Sequence, residues 1–197
     1  MKKVLSILKL KIKTILIFTL LGGLLSFVIC EYLIPKRYTS SVVMYSYFQH
    51  DSDDIFTPYM TLNDIYNVII RSDLVLGKVA EEVKRISKYN LYYTISELKS
   101  FIKVKPVKST KLFEILVTTE NREYSKLTAD AIAEVVKIEI PKIVKEKENI
   151  EIVDLATLPD KPSYPDIPLF TLLGALISFV LSLLIMVKST KRQAKSM

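Results

Sequence analysis

Few residues in this chain have the types and spacing of a reaction centre. His50, Asp51, Asp53 and Asp54 set three carboxylates beside the one histidine, and carboxylate oxygens are the ligands a hard cation such as Ca²⁺ takes. An EF-hand loop also needs a glycine at its turn and a distal glutamate, and this run has neither. It reads as a solvated acidic loop. With a single histidine, Ser-His-Asp catalysis would have to use His50, and no serine sits in a nucleophile-elbow setting. The four glycines, Gly22, Gly23, Gly77 and Gly174, belong to no Gly-rich run ending in Lys-Ser or Lys-Thr, so there is no P-loop. Glu81 and Glu82 with Lys84 and Arg85 have the i,i+3 and i,i+4 spacing of a charged, solvated helix face. No catalytic residue, cofactor or metal ligand is assigned, and the chain is not expected to be an enzyme.

The spacing that stands out is mechanical. Pro159, Pro162, Pro165 and Pro168 follow Ala156 at every third position. Polyproline II has about 3 residues per turn and rises roughly 3.1 Å per residue, so the prolines would share one face of a rod about 28 Å long. A stiff strut is expected over 159–168, with Pro168 in the first turn of the next helix, where its missing N–H is not needed. A PxxP ligand for SH3-like domains is the weaker reading, because those readers are cytoplasmic and this segment is expected outside.

What the strut leads into explains its place. Leu169 to Val187 carries no charge and, at about 1.5 Å per residue, is long enough for a hydrocarbon core of roughly 30 Å. A second apolar run begins at Thr14 and continues through Cys30 toward Pro35. It is longer than the 7 to 15 residues typical of a signal-peptide centre and lacks a small-x-small cleavage site, so it reads as a retained span. Lys2, Lys3, Lys9, Lys11 and Lys13 precede the first span, Lys188, Lys191, Arg192 and Lys195 follow the second, and neither flank is acidic. The positive-inside rule then places both termini in the cytoplasm. The net charge of +7 belongs to these flanks, which suit anionic membrane lipid or a cytoplasmic partner; nucleic acid, which needs a basic patch on a folded domain, is not expected. Gly22, Ser26 and Cys30 in the first span, and Gly174, Ser178 and Ser182 in the second, recur every fourth residue as ridges of small side chains that would allow close helix approach.

Between the spans lies a stretch of single-domain length without a cysteine, so a core and not a disulfide must hold it. Tyr38 to Phe48 reads as a strand. Helices are expected over Thr61–Ser72 and Ser72–Ser87, capped by Thr61 and Ser72, the second with Leu74, Val75, Val79, Val83 and Ile86 on one stripe. A short helix follows, capped by Thr94 or Ser96. A hairpin should set Ile102, Val104 and Val107 against Phe113, Ile115 and Val117. A long helix from Arg122 to Lys147 should kink or restart at Pro141, and Ile150 to Leu158 closes as a strand. The expected architecture is an α+β extracytoplasmic domain between two transmembrane helices. Its parts are a basic amphipathic segment 1–13, span 14–34, domain 35–158, strut 159–168, span 169–187 and basic tail 188–197.

Four stretches together resemble the chain length determinant, or polysaccharide co-polymerase, family: "RYTSSVVMYS" after the first span, "SDLVLGKVAEEV", "KLFEILVTTENREYSKLTADAIAEVVKIEI" and "VDLATLPDKPSYPDIP" before the second. The similarity covers nearly the whole chain and is strongest to the short Gram-positive capsular type. It departs where the family commonly has Asp-Pro and then an alanine before the long helix; here Asn121, Arg122 and Ser125 stand there, a different helix start. The resemblance implies a bacterial cell-membrane scaffold, a ring-like homo-oligomer, that sets polysaccharide chain length alongside a polymerase and a flippase. It also implies a separate cytoplasmic tyrosine kinase, docked through Lys188, Lys191, Arg192 and Lys195. Two other readings stay open, an accessory subunit of a polysaccharide exporter and a two-span membrane sensor.

Overall fold

The computed structural model describes residues 2–48, 66–88, 91–107, 110–144 and 148–195. They form two compact units, Arg37–Ser163 and a pair of terminal helices. His50, Asp51, Asp53, Asp54 and the cap expected at Thr61 lie outside the described residues.

In the first unit, strand β1 (Tyr38–Phe48) alternates as its β-branched and aromatic content predicts. Ser40, Val42, Met44 and Ser46 point into the core, and the residues between them face the other way. A helical segment over residues 66–70 brings in Tyr66, whose ring stacks on Phe113 and whose hydroxyl meets Ser46 Oγ at 2.5 Å. Helix α2 (Asp73–Ile86) starts at Ser72, whose side chain accepts a hydrogen bond from the Val75 amide. Its buried stripe is Val75, Leu76, Val79 and Val83. Leu74 and Ile86, expected on that stripe, are 59% and 36% exposed, and Leu76 is buried in their place where the helix packs against the long helix that follows the hairpin.

Helix α3 (Ile95–Phe101) carries a full capping box, with Thr94 and Glu97 satisfying each other's backbone amides. It leads into β2 (Ile102–Pro106) and β3 (Leu112–Thr119), the expected hairpin. Ile102 lies opposite Val117 and Val104 opposite Ile115, but Pro106 occupies the place expected of Val107 opposite Phe113. Val107 instead donates its amide to the Leu112 carbonyl at the hairpin's end.

Asn121 caps helix α4 (Arg122–Val144), its Oδ1 accepting from the Glu123 amide at 2.8 Å. The unusual helix start is thus an Asn cap. The helix continues through Pro141 without a restart among the described residues. Strand β4 (Glu148–Asp154) closes the sheet.

The sheet order is β2-β3-β1-β4, antiparallel throughout, with β1 between the two strands that flank the long helix in sequence. Helix α4 covers β1, β3 and β4 and also packs on α2. Val42, Met44, Phe113, Ile115, Val117, Ile132, Val136 and Ile140 form the centre of the core. Burying each such side chain contributes about 1.5–3 kcal/mol, which is how a domain without a disulfide is held. Glu139 on α4 accepts from Lys78 of α2 and, at 2.9 Å, from Lys142, and these hydrogen bonds hold its carboxyl below the usual range.

The second unit consists of helices α1 (Lys2–Tyr32) and α5 (Ile167–Lys195). Ile12–Tyr32 and Ile167–Met186 are long and apolar enough to cross a membrane, with mean hydropathy 2.2 and 2.6. They are not core helices of a soluble protein: Leu20 and Leu172 are 72% and 67% exposed, among many apolar neighbours. Each helix runs past its apolar stretch. The basic flanks expected as separate segments at 1–13 and 188–197 are continuous with the spans up to Lys2 and Lys195. Neither flank contains glycine or proline, so nothing in them stops a helix.

Candidate functional site

Three groups of residues are the functional candidates that the sequence offers, and the structure treats each differently. The first is the small-residue ridges. Residues Gly22, Ser26 and Cys30 of α1, spaced by four, form one face of the helix. Gly22 and Ser26 meet Ser178 and Gly174 of α5: a Cβ placed on Gly22 would fall 1.7 Å from Ser178 Oγ, and one on Gly174 would fall 2.3 Å from Ser26 Cβ. Only hydrogen fits at either position. Ser26 Oγ also donates to the Phe170 carbonyl at 2.8 Å, a hydrogen bond from one helix to the other. Ser182 is buried but donates within its own helix, to the Phe179 carbonyl. Cys30 is fully buried.

The second group is the proline motif. Ala156 is buried in the domain core, so its small side chain is a packing requirement. The chain bends at Asp160, Lys161, Ser163 and Pro165, within the segment expected as a stiff strut. The cause is tethering to β1. Ser163 donates its amide to the Arg37 carbonyl at 2.8 Å, and its Oγ lies 2.7 Å from Thr39 Oγ1. Thr39 Oγ1 in turn lies 2.8 Å from Thr118 Oγ1 on β3. Ser40 Oγ donates to the Thr157 carbonyl at 2.7 Å. Pro168 is in the first turn of α5, where Asp166 Oδ1 accepts from the Leu169 amide. The Tyr164–Pro165 peptide is cis.

This hydroxyl cluster escapes sequence reading. "RYTSS" and "DKPS" show serines and threonines, but nothing in their spacing says that Thr39, Thr118 and Ser163 meet. Their meeting depends on the antiparallel pairing of β1 with β3 and on the return of the chain from β4 alongside β1. As a result both connections leave the domain from the same end of the sheet.

The third group is the basic tail. Lys188, Lys191, Arg192 and Lys195 all lie in α5, and as the helix continues to Lys195 they fall at i, i+3, i+4 and i+7, a single stripe. Lys188 is exposed, while the side chains of Lys191, Arg192 and Lys195 lie outside the described residues. No cluster of three or more His, Cys, Asp or Glu side chains with metal-binding geometry occurs among the described residues.

An apolar helix pair joined through an antiparallel α+β domain, with both domain exits held together, defines a two-span membrane protein whose bulk lies in the loop between the spans. A family model described as Wzz, chain length determinant protein, matches residues 1–83. The capsular polysaccharide biosynthesis protein CpsC of Streptococcus agalactiae is 30% identical over 162 residues, covering 79% of this chain and 67% of that one. The capsular polysaccharide biosynthesis protein CapA of Staphylococcus aureus strain Mu50 is 26% identical over 187 residues, covering 93% of this chain and 82% of its own. The chain belongs to the chain length determinant family.

Proposed function

We propose that this protein is a non-catalytic membrane scaffold that regulates the polymerisation and chain length of a capsular or other surface polysaccharide. The observation that carries the reading is the similarity to CapA and CpsC along most of the chain. In this reading both termini are cytoplasmic and the domain is extracytoplasmic, as the basic flanks favour. The scaffold works as a homo-oligomer with a polymerase and a flippase. The proline segment couples the domain to the second span, and the shared exit built by Arg37, Thr39 and Ser163 supports that role.

The scaffold also modulates a separate cytoplasmic tyrosine kinase through the helical stripe Lys188, Lys191, Arg192 and Lys195. A row of cations on one helix face suits an acidic surface on a peripheral protein. Deleting the gene should broaden or shift the length distribution of surface polysaccharide, read on gels of extracted polymer; an unchanged distribution sinks the scaffold reading. Changing Lys191, Arg192 and Lys195 to glutamine, with Lys188 kept as anchor, should lower kinase autophosphorylation and membrane recruitment while insertion stays normal. If both remain at the parental level, the stripe serves only as an anchor.

A further inference from the structure

Among the described residues the sheet has two edge strands, β2 and β4, and they carry opposite charge. On β2, Lys103 and Lys105 are exposed and stand opposite Leu116 and Glu114, on the face turned away from the helices. On β4, Glu151 and Asp154 are exposed, and Glu151 accepts a hydrogen bond from Tyr47 Oη at 3.2 Å. The edges also run in opposite directions, since β2 is antiparallel to β3, β3 to β1 and β1 to β4.

We propose that the β2 edge of one copy pairs with the β4 edge of the next, so that one antiparallel sheet continues from copy to copy. This deepens the homo-oligomer part of the proposed function and rests on it. An edge strand presents unpaired backbone N–H and C=O groups that a strand from another chain can satisfy. Copies inserted in one membrane share one orientation. A like-oriented copy moved sideways brings its β2 against β4 in the antiparallel sense, so the alternation of strands is preserved. Opposite charges on adjacent strands favour the pairing, while like charges placed opposite each other disfavour it. Two β2 edges would set lysine against lysine, and two β4 edges carboxylate against carboxylate. Lysine on an edge strand commonly guards against pairing; here the same guard rejects an identical edge and admits the acidic one, which is selection by repulsion. Contact between two different surfaces of the same chain is heterologous and closes into a ring when the rotation between copies allows.

The full-length chain in detergent or nanodiscs provides the test, with mass read by light scattering. Lys103→Glu with Lys105→Glu should abolish the oligomer, and so should Glu151→Lys with Asp154→Lys. All four changes in one chain, which exchange the charges of the two edges, should restore it. Mixing the two double variants should also give a mixed oligomer, because each then offers the edge that the other lacks. Should a reversal variant fail to fold by circular dichroism, Lys103→Gln with Lys105→Gln replaces it, with the expectation that association weakens and loses most of its salt sensitivity. A monomeric parent, reversal variants of parental mass, or a fourfold variant that stays monomeric would each overturn the proposal. The mass readout needs no polysaccharide: an unaltered polymer length on gene deletion would remove the scaffold function and leave the edge pairing to stand or fall by itself.

Discussion

The closest approach of α1 and α5 can be tested at a single atom. In Gly22→Ala the new Cβ would fall 1.7 Å from Ser178 Oγ, 2.3 Å from Ser178 Cβ and 3.3 Å from the Gly174 carbonyl oxygen. Rotating the Ser178 hydroxyl away removes the first clash but not the second, because Cβ is fixed to the helix backbone. Bringing two carbons from that separation to ordinary contact moves the helices apart by roughly 1.2–1.7 Å. Overpacking of this kind costs about 1–3 kcal/mol, or a factor of roughly 5 to 150 in the equilibrium between close and separated helices. The reporter is a cysteine pair in a Cys30→Ser background. A Cβ on Gly23 would lie 3.4 Å from Ala175 Cβ, close to the roughly 3.5–4.5 Å that a disulfide spans. Gly23→Cys with Ala175→Cys should therefore oxidise readily in membranes, seen as a link between halves that survives cleavage of the domain by protease. Adding Gly22→Ala should slow the reaction by the factor above. Adding Ser178→Gly as well removes both clashing atoms and should restore it. Undiminished oxidation in Gly22→Ala, or no cross-link in the starting pair, would refute the packing argument.

Three further outcomes are expected. Single cysteines at Ser52 and Ser196, again with Cys30→Ser, should be labelled by an impermeant thiol reagent on intact cells at position 52 alone; labelling at 196 alone would invert the topology. Replacing Pro159, Pro162 and Pro165 by alanine should leave insertion and domain folding intact but change polymer length, and an unchanged length at equal protein level would make the segment a passive linker. Hydrogen bonds from Lys78 and Lys142 lower the Glu139 pKa, so the stability it contributes is present above the usual carboxylate range and lost as pH falls through the depressed value. Glu139→Gln should flatten the acid limb of the unfolding profile, and a limb identical to the parent would remove that role.

Much of this protein could be read along the chain because the signals involved are local. Span length, flanking charge and strand alternation in "YTSSVVMYSYF" depend only on neighbouring residues, and so do the caps at Ser72 and Thr94. The small-residue ridges were visible as spacing, since a period of four is a helix face whatever it meets. Other features needed distant parts of the chain to be placed together. Leu76 replaces Leu74 and Ile86 in the α2 core stripe because packing against α4 selects the phase. The proline run bends because Ser163 bonds to Arg37 and Thr39, residues more than a hundred positions away whose proximity exists only once β1 is paired with β3 and β4. The partnership of Gly22 with Ser178 and of Ser26 with Gly174 likewise arises only when the two helices lie side by side. Local sequence sets which faces and edges exist; which of them meet is decided by long-range packing, whose energy is shared among residues that no window of sequence contains together.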